Sequence, residues 1–408
     1  MTQNNRRRAV ELPEGFLPRL RTALSLREDE KPRLSYLSLA NDVARVQQYW
    51  AEGEQDPKSQ KATYAGMFFE LIEALDADGQ LFSIKETEPP RGQPVRIERI
   101  DDANGDKADL VPQIVARIQG FRPHLLVVSP SVPIDIVAKV AGDFPTVFYA
   151  HSLFWPARWD GPDVGLKDRL KRWVRCRRYQ KKLSDVAGLI AASDVCLQQF
   201  RAITGGEVPE VSVTRQLLTA PEVKSKSSMR RLLFVGGMDR HSGVRDLAAS
   251  FERLQGHCPD LQLTLIGDGP LRAEMEAEAE NTEGMLFASG FDAQVQAAQV
   301  QLADLLVVPE PADALTGTPV FLPEALVCGV PALVSSTVPL SSAERVGCDV
   351  FKAGELDEME NRLRHLYGDD AYQELCARVP VDDAPYRDAT QSWGSGIALI
   401  FGEIAGIS

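Results

Sequence analysis

The feature that most constrains this chain is an alternation of short β-branched runs with amphipathic helical runs that ends near residue 214 and restarts at 231. Arg33–Ala40 reads as a buried strand, and further strands follow at Gly79–Lys85, Val95–Ile100, His124–Ser129, Thr146–His151 and Gly188–Ser193. Helical patterns over 66–75, 107–120, 133–142 and 162–184 separate most of them. Strands that alternate with helices pair in parallel through right-handed crossovers, which predicts a doubly wound sheet. After the polar stretch Lys224–Met229 come strands at Arg231–Gly236, Leu261–Gly267, Met285–Ser289, Leu305–Pro309 and Ala332–Ser335, with helices over 243–256, 270–281 and 319–328. The pattern predicts an N-terminal arm over 1–32, a Rossmann-like domain over 33–214, a linker over 215–229 and a second Rossmann-like domain over 230–385. A helix over 386–408, bearing Trp393, Ile397, Leu399, Ile400 and Ile404, is expected to dock across the two. Ligands of open α/β sheets sit outside the carboxyl ends of the strands, so a cleft between the two domains is the expected site.

Composition agrees with this architecture and removes other classes. A length of 408 residues suits two domains, and 44% apolar with 25% charged residues excludes a disordered or collagen-like chain. No run approaches the ~20 apolar residues that span a bilayer, and Met1–Arg8 has no apolar segment behind it, so neither a membrane span nor a signal peptide is expected. A cytoplasmic protein follows, with a peripheral position at the inner face of a membrane left open. The six cysteines lack CxxC spacing and the five histidines are dispersed, so free thiols and no metal site are expected. A net charge of −13 argues against nucleic acid as a partner.

Five features of the second half occur in a fixed order. They are Phe234-Val-Gly-Gly-Met-Asp-Arg-His-Ser-Gly-Val244, Leu265-Ile-Gly-Asp-Gly-Pro270, Phe287-Ala-Ser-Gly-Phe291, Ala303-Asp-Leu-Leu-Val-Val-Pro309, and Thr316-Gly-Thr-Pro-Val-Phe-Leu-Pro-Glu-Ala-Leu-Val-Cys-Gly-Val-Pro331. Together they resemble the nucleotide-sugar half of family-4 retaining glycosyltransferases, which have the GT-B fold of two Rossmann-type domains facing across a cleft. The resemblance covers about 230–345 well and the first half weakly, through strand order and Ala62–Gly66. It implies a nucleotide-sugar donor, UDP- or GDP-linked, with no metal or other cofactor. Gly236 and Gly237 let backbone approach a diphosphate, and the helix starting near Val320 offers free N–H groups to it. Glu324 suits vicinal ribose hydroxyls, which a carboxylate accepts bidentately. Gly290 and Phe291 border the base by the same analogy, and Gly317 and Thr318 remain available for sugar hydroxyls and phosphate. Gly267-Asp-Gly269 reads as a structural turn.

The departures from the family pattern matter as much. The family pairs two Glu residues eight positions apart, and the first position here holds Thr316, which inherits a catalytic place. The Arg and Lys that usually contact the diphosphate are replaced by Gly237 and Ser242. Negative charge builds on the leaving phosphate, and removing one preorganised donor there typically costs about 10²–10³ in rate. Arg240 or His241 reaches the phosphates from the same turn, or else sits in a solvated loop. In the first half, His151 at a strand's carboxyl end resembles a histidine that contacts the transferring sugar, and Thr63 and Tyr64, with Lys61, are acceptor-side candidates. The implied function is transfer of a sugar to a glycan or lipid-linked acceptor in polysaccharide or glycoconjugate biosynthesis. A catalytically degenerate GT-B binding or scaffold subunit is the alternative, and an epimerase-like hydrolase of nucleotide sugars ranks last.

One segment departs from the acidic whole. Residues 166–182 carry nine basic residues against one acidic, +8 locally, which leaves −21 on the remainder. Leu166, Leu170, Trp173 or Val174 and Leu183 recur at helical spacing, so one face is apolar and the rest cationic. Three readings stay open: a core-packed helix with a solvated face, a patch for anionic lipid centred on Lys171, Arg172, Arg175 and Arg178, or a site for another anionic partner such as nucleic acid. Trp155 and Trp159, in the Pro/Gly-rich stretch before it, are expected to suit an interfacial loop.

Overall fold

The computed structural model describes residues 10–39, 63–83, 95–100, 107–129, 132–161, 164–213, 223, 226–288, 293–315, 317, 319 and 321–407. The chain divides into two compact units, one of Met1–His151, Leu170–Arg215 and Asp388–Ser408, the other of Ser152–Arg169 and Gln216–Arg387. The first contains strands β1 (Arg33–Leu37), β2 (Asp78–Ser83), β3 (Val95–Arg99), β4 (Leu125–Val128), β5 (Thr146–Ala150), β6 (Gly188–Ala191) and β7 (Glu210–Ser212). They form one sheet in the order β3-β2-β1-β4-β5-β6-β7, and every pair is parallel. The second contains β8 (Arg231–Gly237), β9 (Gln262–Asp268), β10 (Met285–Phe287), β11 (Leu305–Val308), β12 (Ala332–Ser335) and β13 (Cys348–Phe351), parallel throughout, in the order β10-β9-β8-β11-β12-β13. Both are doubly wound Rossmann-like sheets, the fold class that the alternation predicts.

The helices, in chain order, are α1 (Phe16–Ala23), α2 (Thr63–Ala74), α3 (Lys107–Phe121), α4 (Ile134–Ala141), α5 (Leu166–Lys182), α6 (Asp194–Thr204), α7 (Val244–Leu254), α8 (Arg272–Asn281), α9 (Ala293–Leu302), α10 (Leu322–Val327), α11 (Ser342–Val346), α12 (Leu356–Tyr367), α13 (Asp369–Cys376), α14 (Ala384–Arg387) and α15 (Trp393–Ile404). Helices cover both faces of a doubly wound sheet, so its inner strands read as unbroken apolar runs: Leu-Leu-Val-Val in both β4 and β11 is buried at every position. Elements without that signature escape the sequence reading, among them β7, β13, α1, α6 and α11–α13. Ser193, expected as the end of a strand, is the N-cap of α6 and accepts the Cys196 N–H at 3.3 Å.

The core of the first unit explains why α15 is rich in glycine. A Cβ at Gly394 would lie 2.5 Å from Val10, at Gly396 2.6 Å from Val213, and at Gly402 2.8 Å from Phe16. Those glycines admit neighbours that any side chain would push away, and this outweighs the ~1 kcal/mol each costs in a helix. Trp393 stands edge-to-face on Tyr36 and Tyr149, with centroids 5.5 and 6.0 Å away. The N-terminal segment belongs to the same core through Val10, Phe16 and Leu20. Among the described residues no helix is long and apolar enough to cross a membrane.

Candidate functional site

The strand order of the second unit locates its ligand crevice. The chain runs outward from β8 through β9 to β10, then returns to add β11 on the other side of β8, so the topological switch lies between β8 and β11. The carboxyl ends there are Gly236-Gly237 on β8 and Pro309-Glu310 after β11. Gly236 and Gly237 pair in register with Gly267 and Asp268 of β9. The Met238 N–H donates to the Asp268 carbonyl at 2.9 Å, and the Leu271 N–H donates to the Met238 carbonyl at 2.9 Å. The Gly267–Gly269 turn is therefore a brace for the first turn, as the sequence suggests.

The loop from β8 into α7 is held at several points. The Asp239 carboxylate accepts the His241 N–H at 2.7 Å, and the Ser242 hydroxyl donates to the Asp239 carbonyl at 2.8 Å. The same hydroxyl accepts the Val244 N–H at 3.4 Å. Ser242, at the position where the resemblance leads one to expect a phosphate-binding Lys, thus spends its side chain inside the turn. Arg240 is exposed and its Nε donates to His241 Nε2 at 2.9 Å. Gly243 adopts a left-handed φ of +71°, and a Cβ there would lie 1.8 Å from the Pro309 carbonyl oxygen. Only glycine lets the start of α7 press against the end of β11, and that contact lies at the switch point itself.

Glu324 occupies the first turn of α10, whose six residues are all buried, and is itself 5% exposed. It is therefore not a solvated surface glutamate. A carboxylate kept in an otherwise apolar helix stands against a desolvation cost. Gly317 is buried, while Thr316, Thr318, Gly290 and Phe291 lie outside the described residues. Glu310, 6% exposed, is a second buried carboxylate at the end of β11, and its carbonyl accepts the Thr337 hydroxyl at 3.3 Å. Its signal in the sequence is an acidic residue two positions after the apolar run Leu305–Val308.

In the first unit His151 directly follows β5, its ring edge-to-face on Tyr149 at 5.7 Å. Burial lowers its pKa from the ordinary 6.5, which keeps the imidazole neutral at physiological pH. Thr63 and Tyr64 are the first residues of α2. The chain enters the second unit at Ser152. There the Leu153 N–H donates to the Leu315 carbonyl at 2.8 Å, and Arg158 Nε to the Ala312 carbonyl at 2.8 Å. This segment corrects the expectation of an interfacial loop. Trp155 is fully buried with its indole N–H on the Asp160 carboxylate at 2.9 Å, and Trp159 is buried as well. Of the basic positions expected to form a patch, Lys171 and Arg178 are exposed, whereas Arg172 and Arg175 are half-sheltered.

Residues 229–369 match the family model described as glycosyl transferases group 1. No curated protein matches the chain. Among solved structures, sucrose-phosphate synthase from Thermosynechococcus elongatus superposes with a TM-score of 0.64 at 15% identity, covering 91% of this chain and 98% of that one. WaaG, a glycosyltransferase involved in lipopolysaccharide biosynthesis, gives 0.58 at 14% identity over 88% and 100%. Anabaena HepE in complex with UDP-glucose gives 0.56 at 14% identity over 92% and 98%. The fold is GT-B, and the matched segment covers most of the unit that carries the β8/β11 switch. The similarity to glycosyl transferases group 1 thus lies in the second unit, and the likeness over the whole chain is one of fold.

Proposed function

We propose that the protein is a retaining glycosyltransferase that moves a sugar from a UDP- or GDP-linked donor to a glycan or lipid-linked acceptor in polysaccharide or glycoconjugate biosynthesis. The observation that carries this reading is the burial of Glu324 in the first turn of the helix that follows β11, the strand beside the Gly236-Gly237 turn. A buried carboxylate at that end of a Rossmann-like sheet suits the paired hydroxyls of a ribose. The diphosphate then lies along the Gly236–Gly243 turn, with Arg240 as its cation and Gly317 and Thr318 beside the sugar. Gly290 and Phe291 border the base, and Thr316 stands where the family has its first Glu. His151, neutral through burial, contacts the transferring sugar, and Thr63 and Tyr64 lie on the acceptor side. The UDP-glucose bound by HepE supports a uridine donor. No metal takes part in this reading.

Titration calorimetry with UDP-, GDP- and ADP-sugars tests it. Glu324→Gln keeps the side-chain shape and removes the charge, so donor affinity should fall roughly 10- to 100-fold, the worth of hydrogen bonds to a charged group. Absence of binding to every nucleotide sugar refutes the donor reading, and undiminished affinity in Glu324→Gln refutes the site. Gly237 and Ser242 at the usual cation positions favour a second reading, a GT-B subunit that binds donor without transferring sugar. Release of the nucleoside diphosphate in the presence of acceptor separates the two.

A further inference from the structure

Helix α5 reverses the usual rule for an amphipathic surface helix. None of its seventeen residues is buried. The half-sheltered positions are Asp168, Arg172, Arg175, Cys176, Tyr179 and Lys182, spaced three or four apart along one stripe. The polar stripe therefore faces the protein. Lys182 pairs there with Asp135, and Cys176 Sγ donates to the Ala202 carbonyl at 3.3 Å. The opposite side carries the apolar residues outward: Leu166 is 85% exposed, Leu170 62%, Trp173 58% and Val174 54%. Around them, all exposed, stand Lys167, Arg169, Lys171, Arg177, Arg178 and Lys181. The Arg177 guanidinium lies 5.8 Å from the centre of the Trp173 ring.

We infer that this outward face is a docking surface for an anionic lipid bilayer, with α5 lying in the headgroup plane. Three arguments select that occupant. Seventeen residues make a strip ~25 Å long and ~10 Å wide, on the order of 250 Å², well short of the ~800 Å² per partner of a standard protein interface. Nucleic acid would use the cations but has no need of two leucines, a valine and a tryptophan among them. A bilayer uses both, taking the apolar side chains below the headgroups while the basic ones meet lipid phosphates. Charge also fixes the orientation: the segment is +8 and the remainder −21, so an anionic surface repels the body and attracts this strip. The inference is independent of the donor site.

Flotation of the full chain with vesicles tests it, using phosphatidylcholine alone and phosphatidylcholine mixed with phosphatidylglycerol. Binding is expected to the mixed vesicles only, and to weaken as salt is raised. Each basic residue near an anionic surface contributes about a fivefold factor, so Lys167→Gln, Arg177→Gln, Arg178→Gln and Lys181→Gln together should cost several hundredfold. Leu170→Ser with Trp173→Ser should independently release the protein. All six positions are exposed, so melting temperatures should not move and lost binding cannot be blamed on lost fold. Vesicle binding that survives either set overturns the inference. So does self-association that depends on Leu170 and Trp173, or nucleic-acid binding that needs the cations while the vesicles are ignored.

Discussion

Replacing Gly243 by alanine tests the central claim about the switch point, that the start of α7 must touch the end of β11. Two costs add. A left-handed residue with a Cβ loses ~1–2 kcal/mol, and at φ +71° Gly243 is such a position. The new methyl would also lie 1.8 Å from the Pro309 carbonyl oxygen and 2.6 Å from its carbon, which are backbone atoms that no rotamer change relieves. The loop or the strand end must retreat by more than an ångström, and overpacking of that kind costs ~1–3 kcal/mol. At ~2–4 °C per kcal/mol for a unit of this size, the melting temperature should fall by roughly 5–15 °C. Gly354 supplies the control: its φ is +84° but a Cβ there meets nothing within 4 Å. Gly354→Ala carries only the backbone cost of ~1–2 kcal/mol. Scanning calorimetry of both variants should separate them, and nucleotide-sugar affinity should drop only in Gly243→Ala. If the two melt together, close approach to Pro309 is not what requires glycine at 243, and the packing argument fails.

Three further outcomes follow from the same geometry. Above pH 6.5 the His151 imidazole is neutral folded or unfolded; below it the unfolded chain takes up a proton that the buried ring resists, so stability falls as pH falls. His124 is lowered by burial in the same direction, so His151→Gln should reduce the acid slope of denaturant midpoints without abolishing it, and an unchanged slope refutes the assignment. Arg240→Ala should weaken donor binding about tenfold in calorimetry, as loss of a charged donor to phosphate does; equal affinity would mean that backbone alone holds the diphosphate. Gly396→Ala, which in a free helix would stabilise by ~1 kcal/mol, should instead destabilise in thermal melts, because its Cβ meets Val213 at 2.6 Å.

What the sequence disclosed and what it withheld divide along physical lines. Inner strands of a parallel sheet must be apolar on both faces, so β4, β5, β6, β11 and β12 stand out as continuous runs. The edge strand β7 has no such requirement, and its three residues Glu210–Ser212 are only half-buried. The glycines of the turn between β8 and α7 are legible because glycine is costly without a reason. Their division of labour was not: Gly243 answers to Pro309, 66 positions later, and Gly267 to Met238, partners that no local pattern names. A serine at 242 is equally plain in the sequence, yet only the turn geometry shows that hydroxyl satisfied by Asp239 and Val244.

Helix α5 shows the limit most clearly, because periodicity fixes that a helix has two faces without fixing which one faces the protein. The spacing of Leu166, Leu170 and Trp173 is what a core-packed helix would have, and burial of those side chains would contribute ~1.5–3 kcal/mol each. The structure leaves all three exposed and shelters Asp168, Arg172, Cys176 and Tyr179 instead. A helix that relinquishes that much apolar burial needs either a compensating anchor or a medium outside water. The Lys182–Asp135 and Arg158–Asp168 pairs are anchors, but solvent reaches a partner of each and screens them, so they are weak. The balance therefore points outward, to a surface that takes up leucine and tryptophan while neutralising a +8 segment. A body of net charge −13 is repelled by an anionic membrane as a whole, and in the proposed docking α5 is the feature that reverses this on one side.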